Sequence, residues 1–266
     1  MQITSSSPNF TSRNAYIRRA DDIVRKVRNE FPMFSPTLAF DNWKTIQPTN
    51  ASGFKNAKKV LAKHRNIIEA YRKNNDFSSE APHFFECFES VQKTKMGNCR
   101  EAGIMTLGTL LANGHPAVKV SPTIEMHVID KNGQDIFTCR KFCDHVMVMA
   151  NMDKTTPDYC NDSIILDTWM GSAMHPDEAL KVYEEKYMDL NFLPALLRTH
   201  KELIKEKGFF KGLAIILDSK TTYEPKMHFG GAKEQKFSVE QMQEWGKKIA
   251  KKFPQIVMSE NNENNI

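Results

Sequence analysis

The chain has 266 residues, 26% of them charged and 40% hydrophobic, the balance of a globular protein with one or two cores. Its net charge of +5 comes without an aromatic-interleaved basic stripe, which argues against nucleic-acid binding. No apolar run is long enough to span a bilayer, and the first residues lack the regions of a cleaved signal peptide.

Residues 1–13, rich in Ser, Thr and Asn, read as a disordered tail. From Asn14 the recurrence of Ile17, Ala20, Val24, Val27 and Phe31 predicts a helix. Its outer face carries Arg18, Arg19, Arg25, Lys26 and Arg28, a solvated face or else a contact for an acidic partner or a membrane surface. Pro32 to Gly53 reads as a connection. A second helix is expected over Asn56–Lys73, with Val60, Ile67, Ile68 and Tyr71 inward, so that 14–80 form a helical N-terminal layer on the core or else a separate targeting module.

The core domain is placed at 82–258. A buried helix follows Asn98 and stops at Asn113-Gly114. Strands are expected at Ala117–Ser121, Ile124–Ile129, Asp135–Thr138, His145–Ala150 and Ser163–Asp167, with a hairpin turn at Lys131-Asn132-Gly133. Pro176 opens a helix to Tyr187, a second spans Leu193–Lys207 before Gly208, and Leu213–Leu217 reads as an inner strand. Ser238 caps a last helix, Val239–Lys252, ahead of an Asn/Glu-rich tail at 259–266.

Five cysteines, at 87, 99, 139, 143 and 160, form no framework spacing and read as free thiols of a reducing compartment. Cys99 is distinguished by its place. In Met96-Gly97-Asn98-Cys99-Arg100-Glu101, Asn98 is a favoured N-cap and Glu101 completes a capping box, which puts Cys99 at the first helical position. Unpaired backbone N–H groups and the helix dipole there favour a thiolate, the nucleophilic form. The helix that follows is apolar on nearly all sides, as befits a central one. The alternative is a buried, inert cysteine.

Asp144-His145-Val146-Met147-Val148 places a histidine at the head of an apolar strand, and Ile164-Ile165-Leu166-Asp167-Thr168-Trp169 places an aspartate at the tail of another. Antiparallel pairing of the two would set His145 beside Asp167 or Thr168. His145 is then the base for Cys99, and Asp167 orients the imidazole. Taken singly, each reads as a core histidine and a turn aspartate. His127 is the reserve base, while His64, His115, His175 and His228 carry weaker signals. The Cys99 N–H and the Gln92 side chain are candidate oxyanion donors. Asn98 and Trp169 are candidate groove residues, Trp169 being equally a core tryptophan. Cys139, Cys143, His145 and Cys160 are a conceivable zinc set, but Cys143-Asp144-His145 runs straight into an apolar strand. The reading calls for no cofactor or metal.

Together these motifs resemble the papain-like and transglutaminase-like Cys-His-Asp enzymes, in particular bacterial effector and toxin versions whose pattern reads roughly "GNC-x-E, DHxFV, DPW". Thr168 and Met147 depart from that pattern at positions that carry no catalytic group. The resemblance covers residues 90–170. It implies an α+β fold, with a papain-like core in which a central helix bearing Cys99 packs on an antiparallel sheet, plus additional N- and C-terminal helices. It also implies a protease, glutamine deamidase or transglutaminase acting on a protein, a host protein for the effectors. Such effectors leave the bacterial cytoplasm for the host cytoplasm without a cleaved signal. The competing readings are a non-enzymatic partner-binding protein of the same fold and a small-molecule acyltransferase, whose sign would be a closed pocket.

Overall fold

The computed structural model describes residues 10–35, 51–74, 84–152, 163–230 and 237–259. Within them the chain is α+β, with seven α-helices and antiparallel strand pairs. The helices are α1 (Phe10–Glu30), α2 (Ala51–Asn74), α3 (Phe84–Thr94), α4 (Cys99–Ala112), α5 (Pro176–Lys207), α6 (Phe209–Leu217) and α7 (Val239–Lys252). The strands are β1 (Ala117–Ile129), β2 (Asp135–Phe142), β3 (Met147–Asn151), β4 (Ser163–Asp167), β5 (Ser172–Met174) and β6 (Thr222–Gly230). No helix among the described residues is long and apolar enough to cross a membrane.

Two compact units interleave along the chain. The first takes Met1–Lys119, Met147–Met174 and Lys236–Ile266. Its centre is α4, buried without interruption from Glu101 to Leu111. A helix apolar all round is stable only when covered on all sides. Helices α1, α3 and α7 and strands β3 and β4 supply that cover. Gly246 on α7 approaches the Leu111 carbonyl so closely that any side chain there would collide with it. Phe31 at the end of α1 meets the Phe88 ring edge-on at 4.9 Å, and Phe88 stacks on Phe253 at 4.7 Å. The α1 stripe is as its spacing predicts, with Ala20, Ile23, Val24 and Val27 buried. On α2, Ile68 is buried, while the side chains of Val60 and Tyr71 lie outside the described ones. Strand β4 pairs with β3 (Val148↔Leu166) and with β5 (Asp167↔Ser172).

The second unit takes Val120–Val146 and His175–Gln235. Strand β1 pairs there with β2 on one side and β6 on the other, so that Met126 faces Cys139 and Pro225. Helix α5 packs against β2 and β6. Asp130–Gln134 forms the β1–β2 turn read from the sequence, with Gly133 at φ +77°.

Several elements differ from the sequence expectation. The two strands expected between 117 and 129 are one, because Pro122 keeps a carbonyl that accepts the Cys143 N–H at 2.8 Å. Strand β2 runs on to Phe142, and β3 starts at Met147 instead of His145. The two helices expected between Pro176 and Lys207 are one through Pro194. A mid-helix proline costs about 3 kcal/mol, offset here by a buried face of Ala179, Tyr183, Ala195, Thr199 and Leu203. Leu213–Leu217 is helical, part of α6, and not an inner strand. Strand β6 was not foreseen: Pro225 disfavours a strand, except at an edge, where β6 lies. Helix α1 is already formed at Phe10, inside the expected tail; residues 1–9 and 260–266 lie outside the described ones.

Candidate active site

Cys99 is the first residue of α4 and is partly exposed, whereas the rest of the helix sinks into the core. The chain before it is clipped in place. Phe34 and Met96 form a parallel bridge, in which the Phe34 N–H donates to the Lys95 carbonyl at 2.9 Å and the Gly97 N–H to the Phe34 carbonyl at 3.1 Å. Gly97 is a close approach: a side chain there would overlap the Met33 sulfur. Glu101 Oε2 accepts the Asn98 N–H at 2.9 Å, the returning half of the capping box.

A relay of hydrogen bonds then joins this helix start to the end of β4. Trp169 Nε1 donates to Ser35 Oγ at 2.8 Å, and Ser35 Oγ donates to Asn98 Oδ1 at 3.0 Å. Deeper along α4, the hydroxyls of Thr106 and Thr168 meet at 2.5 Å, both buried. Asn98 and Trp169 are thus connected within the first unit through Ser35, a residue that belongs to no motif. Trp169 and Thr168 also line a cavity of about 260 Å³, whose walls include Val27, Phe31, Met33 and Met105. Arg28 stands at the same cavity, its guanidinium so close to Gly171 that a side chain there would displace it.

Asp167 is the last residue of β4 and is 1% exposed. One of its carboxylate oxygens accepts the Met170 N–H at 3.0 Å, and its carbonyl accepts the Gly171 N–H at 2.7 Å. Gly171, at φ +82°, completes the turn into β5. The aspartate therefore has a turn-closing role whatever else it does. The β3–β4 register runs from Val148↔Leu166 to Asn151↔Ser163, so the pairing starts at Val148 and does not include the one expected between residue 145 and Asp167 or Thr168.

Cys99 and Asp167 belong to the first unit and His145 to the second. His145 is 1% exposed, and its N–H donates to the Cys143 carbonyl at 2.8 Å. Its ring lies 5.6 Å from Tyr183 and is stacked at 5.9 Å on Tyr187, both on α5. These tyrosines, one helical turn apart, were not singled out from the sequence; the i, i+4 spacing was the available signal. Burial pushes the Cys143 thiol up, against the pull of Lys141. Near the head of α4, burial holds the Lys119 ammonium below its usual range, and the Arg100 charge adds to that.

Gln92, the candidate oxyanion donor, is exposed on α3. The reserve base His127 pairs through Nδ1 with Asp135 at 2.5 Å and through Nε2 with Glu125 at 3.3 Å. Cys139 is on the opposite face of that ladder, since it is Thr138 that pairs with His127. Among the described residues no group of His, Cys, Asp and Glu could hold a metal ion; Cys160, of the zinc set, lies outside them. Comparison with protein-family models, with curated proteins and with solved structures found no match.

Proposed function

We propose that the chain is a cysteine-dependent enzyme with a papain-like core that attacks an amide carbonyl, a peptide bond or a glutamine carboxamide, of a protein substrate. The observation that carries this reading is the seat of Cys99: a partly exposed cysteine on the first residue of a helix buried from Glu101 to Leu111, its approach fixed by Phe34, Glu101 and the Ser35 relay. A nucleophile needs both access and a fixed direction of attack. His145 as the base and Asp167 as its orienting partner rest on the order of the three motifs in the chain.

In the proposed reaction His145 takes the thiol proton, the sulfur adds to the amide carbon, and first-turn N–H groups of α4 receive the developing oxyanion. His145 then protonates the departing amine or ammonia, and water or a lysine amine resolves the thioester. The cavity beside Trp169, walled by apolar side chains together with Arg28, Ser35 and Thr168, offers a place for a side chain of the substrate. A second reading, a partner-binding protein without thiol chemistry, is favoured by one observation: one Asp167 carboxylate oxygen closes its own turn by accepting the Met170 N–H.

Mass spectrometry of cell proteins incubated with the wild type or with Cys99→Ala tests the proposal. New termini, glutamine-to-glutamate conversion or crosslinks that vanish with Cys99→Ala support it. Identical protein maps from both would leave the binding reading.

A further inference from the structure

Helix α6 has the sequence Phe-Phe-Lys-Gly-Leu-Ala-Ile-Ile-Leu, with Lys211 its one polar residue. A helix of that composition is normally buried, yet only Gly212 is. Helix α5 is its main packing partner. The contact is intimate, since a Cβ at Gly212 would be 2.7 Å from the Ile204 Cα. Of the rest of α6, Phe209, Phe210 and Leu217 are exposed, and Leu213, Ile215 and Ile216 are half-buried. Leu190, Leu193 and Leu197 on α5 are exposed too, and recur at a spacing that puts them on one stripe with Ile204. The two helices thus present one apolar face, far beyond the scattered exposed leucines of an ordinary surface.

The tip of this hairpin is where Gly208, at φ +83°, turns the chain. Phe210, at 86% exposure, protrudes there beside Phe209, their rings edge to face at 5.5 Å. Around the tip, residues 198–211 hold five basic side chains (Arg198, Lys201, Lys205, Lys207, Lys211) and two acidic ones, Glu202 and Glu206. Lys207 holds Glu206 at 2.7 Å and Lys205 lies 4.0 Å from Glu202, which leaves a cationic excess beside the phenylalanines.

We propose that the α5–α6 hairpin docks on an anionic lipid surface, Phe209 and Phe210 entering the acyl boundary and the lysines meeting the headgroups. Exposed aromatics flanked by lysines suit the membrane interface, where apolar area and headgroup charge act together. A symmetric pair of chains would bring these lysines against their own copies, whereas an anionic bilayer is complementary to them. Docking here is peripheral and independent of the thiol chemistry proposed above.

The test is co-sedimentation of the full chain with vesicles of phosphatidylcholine containing phosphatidylserine, and with vesicles of phosphatidylcholine alone. The wild type should pellet with the anionic vesicles and lose binding as salt rises. Phe209→Ser/Phe210→Ser and Lys205→Gln/Lys207→Gln/Lys211→Gln should each weaken binding by roughly tenfold or more. These positions are at the surface, so circular dichroism should show an unchanged fold. A Phe210→Trp variant adds a direct readout, a blue shift in emission on adding anionic vesicles. The proposal is overturned if the wild type does not pellet, if it binds both vesicle types equally, or if the variants bind like the wild type. It is also overturned if light scattering shows a dimer that Phe209→Ser/Phe210→Ser splits, because a second copy then owns the face.

Discussion

Ser35 holds two side chains at once: it accepts from the indole of Trp169 and donates to Asn98. Ser35→Ala would leave a half-buried indole N–H and the Asn98 oxygen without this partner, at a cost of about 1–3 kcal/mol. Denaturant unfolding should show that loss, and alkylation of Cys99 should change in rate because the helix start is no longer pinned. Thiol accessibility makes a related prediction. Cys87 and Cys143 are buried, whereas Cys99 and Cys139 are partly exposed, so iodoacetamide should label the latter pair first. Burial also raises the Cys143 thiol pKa, which lowers its thiolate fraction and slows it further. Under the proposed function Cys99 outpaces Cys139; equal rates for the two would count against an activated sulfur. At this scale the sequence was informative about position and silent about partners. Asn98, Cys99 and Glu101 announced a capped helix because capping is local. The partners Ser35 and Thr106 are unremarkable residues brought to Trp169 and Thr168 by the fold alone.

Among the elements, the β1–β2 ladder carries a pH dependence. The Arg140 hydrogen bond holds Glu125 below the usual carboxylate range, and the His127 hydrogen bond does the same for Asp135. A carboxylate with a depressed folded-state pKa adds stability above its unfolded value, near pH 4, and gives it up as pH falls through the folded value. Stability should therefore fall on acidification below about pH 4, and Asp135→Asn should remove part of that slope. The groups are solvated, so the share is at most about 1 kcal/mol. His200 works in a different window. Burial lowers its pKa, so the folded state resists protonation and stability declines as pH drops below the usual histidine range. A melting-temperature series at mildly acidic pH, flattened by His200→Gln, checks this. The elements that the sequence misplaced have separate causes. Leu213–Leu217 is a short apolar run, for which helix and strand periods are indistinguishable. Strand β6 is polar and contains Pro225, and only its pairing with β1 makes it a strand. The two helices read over Pro176–Tyr187 and Leu193–Lys207 are one, because the packing of α5 carries the helix through Pro194.

For the molecule as a whole, the interleaving of the units decides what can be removed. The core domain placed from the sequence, 82–258, lacks α1, yet α1 supplies Ala20, Ile23, Val24 and Val27 to the first unit and Phe31 follows directly after it. Such a fragment should show no cooperative unfolding transition, whereas the full chain should. In the full chain Phe31→Ala should cost about 3–5 kcal/mol, since its ring sits against Phe88 and Phe253. The central helix was legible in the sequence because α4 is apolar on every side, whereas the α+β class was what the family resemblance implied. The division into units was not, because it depends on which distant segments cover which face.

The last cover on α4 is α7, whose Gly246 seats against Leu111. In order of synthesis, the greasiest helix of the first unit leaves the ribosome long before the segment that shields it. The nascent chain must carry the α7-facing side of that helix uncovered while residues 113–238 are made, a window in which holdase chaperones and aggregation compete for it.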